Sequence, residues 1–162
     1  MSLIRKTYPL HVLFEDSEES KYLFVTDSGI EYLVTFSRAT QYFIQICEAC
    51  QRIYDFNFFP NGSNKGKGRD PLIEYTIVQT LKYFINEYKS PVLFICDSSD
   101  RRQICRAKLF QRWYNNENNR EIQLMTRELI YQDYTVIMGI IALENDEDIE
   151  LYFNEIDHSV FE

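Results

Sequence analysis

Residues 70–96 read DPLIEYTIVQTLKYFINEYKSPVLFIC, and this stretch decides the fold. Asp70-Pro71 is a helix opening: the aspartate can accept hydrogen bonds from first-turn amides, and proline at the first helical position forfeits no bond. Ile73, Ile77, Leu81, Phe84 and Tyr88 then recur at helical spacing. Ser90-Pro91 breaks the pattern, and Val92 to Cys96 is an apolar run of strand length. Upstream, Arg52 to Phe59 reads as a strand with Tyr54, Phe56 and Phe58 on one face. A strand, a crossover helix and a second strand favour a parallel pair.

Working outward, Tyr22 to Thr26 and Ile30 to Phe36 are β-rich runs around Asp27-Ser28-Gly29, a strong hairpin signal. Leu10 to Phe14 is a first strand, followed by an acidic loop at 15–20. Over residues 40–51, Phe43, Ile46, Cys47 and Cys50 fit a short helix. Asp97-Ser-Ser-Asp100 caps a second helix from Arg101 to Asn115. Glu121 to Ile130 and Tyr134 to Leu143 form an antiparallel pair turning at Gln132-Asp133, and Glu147 to Phe161 offers a last, acidic helix. The expectation is one α+β domain over residues 1–162, with a mixed, mostly antiparallel sheet and two helices around a parallel strand unit.

At 162 residues, 45% of them hydrophobic, the chain is long enough to bury a core and too apolar to be disordered. It has no apolar run near the roughly 18 residues that span a bilayer and no signal-like start, so it reads as cytoplasmic with no membrane role. A net charge of -8 argues against nucleic acid as a partner. Cys47 and Cys50 have CxxC spacing, but Cys96 and Cys105 supply no second pair and the two histidines lie near opposite ends. No metal site is expected, and the four cysteines are expected to be reduced.

The positive charge is gathered in two places. Lys65, Lys67 and Arg69 lie in the glycine loop 61–69, and Arg101, Arg102, Arg106, Lys108 and Arg112 lie on the second helix. Both segments follow strands of the parallel unit, where loops and helix N-termini make natural anion sites. Gly62, Gly66 and Gly68 would let backbone N–H groups approach a phosphate. Solvated or internally paired charges are the plainer account. Asp100 is expected to cap the helix, Asp97 to pair with Arg101, Arg102 or Arg106, and Trp113 to pack into the core. Arg106 or Arg112 would reach an acid elsewhere, leaving Arg101 and Lys108 for a ligand.

Two resemblances follow. The string Tyr22-x-Phe24-x-Thr26-x-x-Gly29-x-x-Tyr32-x-Val34-x-Phe36, then Thr76-Ile77, then Ile95-Cys96-Asp97-x-x-Asp100-x-Arg102-Gln103-x-x-Arg106-x-x-Leu109-Phe110-x-Arg112-Trp113-Tyr114, resembles a family of small bacterial proteins with no assigned activity. The order of elements resembles the GNAT acyltransferase superfamily. That likeness implies acyl-CoA as cofactor, its pyrophosphate cradled by Lys65, Gly66, Lys67, Gly68 and Arg69, although Ser63 stands where the superfamily pattern has Arg or Gln. It also implies a base, for which Asp55 and Glu74 are candidates, and a tyrosine acid, whose place is matched most nearly by Phe110, with Tyr114 one turn later.

Two functions therefore stand side by side: an acyl-CoA-dependent N-acyltransferase, and a non-catalytic interaction module. The second would use Arg101, Arg106, Lys108 and Arg112 against a small anionic ligand or an acidic protein partner. Nucleic-acid binding by the same helix is a third and less favoured reading.

Overall fold

The computed structural model describes residues 7–43, 48–62, 70–97, 108, 110–115 and 121–156. Seven strands form one sheet: β1 (His11–Glu15), β2 (Glu19–Val25), β3 (Glu31–Arg38), β4 (Tyr54–Pro60), β5 (Val92–Asp97), β6 (Ile122–Ile130) and β7 (Thr135–Leu143). Their order is β1-β2-β3-β4-β5-β7-β6. Every neighbouring pair is antiparallel except β4 and β5, which run parallel. The fold is thus α+β with a mixed, mostly antiparallel sheet.

The crossover helix α1 (Pro71–Tyr88) begins where its sequence says it should. Asp70 accepts the Leu72 N–H at 2.9 Å and also holds the Tyr8 hydroxyl, tying the segment before β1 to the helix start. Ile77, Leu81, Phe84 and Ile85 face the sheet, where Phe84 stacks on Phe36 at 3.8 Å between ring centroids. Lys89 ends the helix in the left-handed region, φ 51°. The hairpin turn between β2 and β3 places Gly29 at φ 83°, a conformation that glycine adopts without steric cost.

The sheet has a core on each face. On one side α1 and the helical segment 110–115 cover Tyr22, Phe24, Phe36, Phe56 and Phe94; Trp113 is buried there, as its sequence position predicts. On the other side the helix α2 (Ile149–Glu155) packs Ile149, Tyr152 and Phe153 over β5, β7 and β6. No helix among the described residues is long and apolar enough to cross a membrane.

Two expectations change. Residues 40–51 do not read as one short helix: two 3-10 turns, Thr40–Tyr42 and Ala49–Arg52, lie either side of residues outside the description. The aromatic and β-branched content there suits anchoring better than helix propagation, and Phe43 makes an isolated bridge to Ile156. Cys96 is a buried thiol, but Cys50 is disulfide-bonded, against the expectation of four reduced cysteines. That expectation rested on an assumed reducing compartment.

Candidate functional site

The parallel junction at the middle of the sheet is very short. Only Tyr54↔Val92 and Asp55↔Leu93 pair; beyond them β4 continues with β3 to Pro60, and β5 continues with β7 to Asp97. The two strands therefore fork, and one side of each backbone is left without a strand partner.

The fork is filled from the helical segment 110–115. Phe110 lies among Phe56, Phe58 and Phe94 at 5.9, 5.7 and 4.2 Å between ring centroids. The space left among these rings is about 20 Å³, room for one water. Gly139 makes this arrangement possible. It pairs with Phe94, and a Cβ there would fall 2.0 Å from the ring's Cζ, so only glycine lets the ring lie across β7.

Asp55 sits at the closed end of the fork, on the last paired rung. Alternation along β4 sends Tyr54, Phe56 and Phe58 toward α1, and Asp55 with Asn57 to the opposite face. There the Tyr42 hydroxyl and the Asn57 amide donate to Asp55 Oδ2 at 3.3 and 3.4 Å. Burial pushes the Asp55 carboxyl up to about 6; the bonds from Tyr42, Asn57 and the Phe56 N–H oppose the shift without cancelling it. Tyr42 is pushed up to about 12, first by burial and then by the charge of Asp55. A carboxyl that changes protonation near neutrality is suited to taking a proton from a substrate.

The other predicted site residues are distributed as follows. Lys65, Gly66, Lys67, Gly68 and Arg69 lie outside the described residues, as do Asp100, Arg101, Arg102, Arg106 and the Asp97 side chain. Lys108 is exposed beside Gln111, Thr126 and Arg127 along a cleft of about 240 Å³. Arg112 reaches an acid on another element, bonding Glu74 at 2.7 Å. Tyr114 packs against the α1-side core, across the sheet from Asp55, so the structure does not bring those two candidates together. Among the described residues no three His, Cys, Asp or Glu side chains converge in a metal-binding group.

Sequence reasoning missed Tyr42 and Asn57. The parity of β4 was sufficient to put Asn57 beside Asp55, because residues two apart share a face. Nothing in the 40–51 segment marked Tyr42.

No curated protein matches the chain. Among solved structures it is similar to a chimera of the spermidine N-acetyltransferase SpeG from Vibrio cholerae and hSSAT. There the identity is 13% and the TM-score 0.47, over 86% of this chain and 72% of that one. It is also similar to MesI, a CoA-dependent acyl-homoserine lactone synthase, at 14% identity and a TM-score of 0.44, over 88% of this chain and 70% of that one. Residues 69–160, more than half of the chain, match the model of a family of unknown function, DUF6169, and the chain belongs to that family.

Proposed function

We propose that the protein takes an acyl-CoA into the β4–β5 fork and transfers the acyl group to an amine, with Asp55 as the base. The observation that carries this reading is a carboxyl raised to about 6 on the last rung before two strands part. The parted strands offer backbone N–H and C=O groups to an extended amide-bearing chain such as a pantetheine arm. The amine nitrogen would attack the thioester carbonyl: the C–N bond forms, the C–S bond breaks, the sulfur leaves as the thiolate, and Asp55 accepts the proton lost by the amine. The loop residues Lys65, Gly66, Lys67, Gly68 and Arg69, with Arg101, Arg106 and Lys108, would meet the phosphates. Phe110 must leave the fork for this to occur, because about 20 Å³ holds no pantetheine.

A non-catalytic module is the second reading, and the filled fork favours it. One experiment separates them: thermal-shift titration with acetyl-CoA and longer acyl-CoAs on the parent, on Phe110→Ala and on Asp55→Asn. The acyltransferase reading expects stabilisation of about 2.7 kcal/mol at a hundred times the dissociation constant. It further expects tighter binding by Phe110→Ala, and by Asp55→Asn binding without turnover of an amine panel. No stabilisation of either the parent or Phe110→Ala by any CoA thioester sinks it and leaves the interaction module.

A further inference from the structure

At the end of the sheet opposite the fork lies a cleft of about 460 Å³, within the range of small-molecule sites. One wall carries Arg52, Lys89 and Ser90, before β4 and β5; the other carries Asp146, Glu147 and Asp148, after β7. We propose that this cleft binds a small zwitterion, a free α-amino acid or dipeptide, its carboxylate on Arg52 and Lys89 and its ammonium on the acidic wall. The proposal does not depend on the acyltransferase reading.

Both walls are built before any ligand arrives. Gln123 Nε2 lies 2.8, 3.3 and 2.8 Å from the carbonyls of Leu143, Glu144 and Asp146, which fixes the path of the loop. Asp146 is itself oriented by the Tyr152 hydroxyl at 3.2 and 3.3 Å and by the Asp148 N–H at 2.9 Å. Across the cleft, Arg52 Nη2 donates to the Lys89 carbonyl at 2.9 Å, leaving its remaining N–H groups for another acceptor. Cations and carboxylates thus face each other across the gap, and no ion pair joins them among the described residues. A ligand carrying both charges completes both walls, whereas a simple anion or a simple amine completes one.

Lys89 is the sharper signal. It holds the helix C-cap in the left-handed conformation, where glycine is strongly preferred, and it is the only non-glycine residue with positive φ among those described. A lysine at that position sacrifices backbone stability and gains a cation at the cleft, the pattern of strain kept for a site.

The test is isothermal titration calorimetry of the full chain with free α-amino acids, dipeptides, acetate and methylamine. At least one zwitterion should bind ten or more times tighter than acetate or methylamine. Lys89→Gly should weaken that binding at least tenfold while its melting temperature stays level or rises; Arg52→Gln should also weaken it. Binding of acetate or methylamine as tight as that of any zwitterion, no zwitterion binding, or unchanged affinity in Lys89→Gly would each overturn the proposal.

Discussion

Arg112 Nη2 lies 2.7 Å from a carboxylate oxygen of Glu74, joining the helical segment behind β5 to the first turn of α1. The arginine is 43% exposed and the glutamate 19%. Solvent therefore screens much of the pair, and Arg112→Ala should cost no more than about 1 kcal/mol in urea unfolding. The loss should shrink as salt is raised. A loss several times larger, insensitive to salt, would mean that the arginine stem rather than its charge is the contributor.

Asp55 should make stability depend on pH in an unusual direction. Its folded pKa of about 6 lies above the ordinary carboxyl value of about 3.9. Between those values the folded state binds more protons than the unfolded one, so stability falls as pH rises through that window and then levels. Asp55→Asn should remove that slope and raise stability at pH 7 by about 1–2 kcal/mol, allowing for partial solvent access. Denaturant midpoints from pH 4 to 7.5 for the two proteins are the measurement. Parallel profiles for the parent and Asp55→Asn between pH 4 and 6 would show that Asp55 is better solvated than its position implies.

Gly139→Ala should be disproportionately harmful for the addition of one methyl. The new Cβ would meet three Phe94 ring atoms at 2.0 to 2.7 Å, so the ring must move off β7 and off Phe110. Overpacking of this kind costs about 1–3 kcal/mol. Gly29→Ala is the comparison: it meets nothing within 4 Å and suffers only from its φ of 83°. Equal stability of Gly139→Ala and the parent by chemical denaturation would contradict the packing described for the fork.

Phe110→Ala removes the ring that fills the fork and should cost about 3–5 kcal/mol, as deletion of a buried aromatic does. Binding of benzene or xenon in the vacated space would show that the cavity persists; a loss below about 1 kcal/mol would show that the two strands close over it.

The helix α1, the β2–β3 hairpin and the parallel direction of β4 and β5 were all legible because each rests on local chemistry: a cap and proline, a turn with glycine, an obligatory crossover. The fork was not. Its two-rung length depends on Phe110, which arrives from thirteen residues beyond the end of β5, and on Gly139 from a different strand; no pattern within either strand records that. Asp55 could be named as a candidate base, yet its raised pKa comes from burial beneath Tyr42, in a segment with no clean period. The cleft was invisible for a related reason. Arg52, Lys89 and Asp146 are far apart in the chain, and only the crossover and the β6–β7 return bring them to one end of the sheet. The glycine loop at 61–69 and the arginines at 101–106 were conspicuous in the sequence, and their roles stand as proposals.

The two-rung junction has a consequence for the order in which the molecule assembles and loosens. On one side of it, β1 to β4 pair strictly with their neighbours in the chain, each across a shorter stretch than separates β5 from β7. On the other, β5 must wait for β7, some forty residues later, before it gains its longest partner. Two rungs transmit little cooperativity between these blocks, so the coupling falls on α1 and its aromatic face. Amide protons of β2 and β3 should therefore outlast those of β5 to β7 in exchange experiments, with the molecule opening as a book does, along its spine.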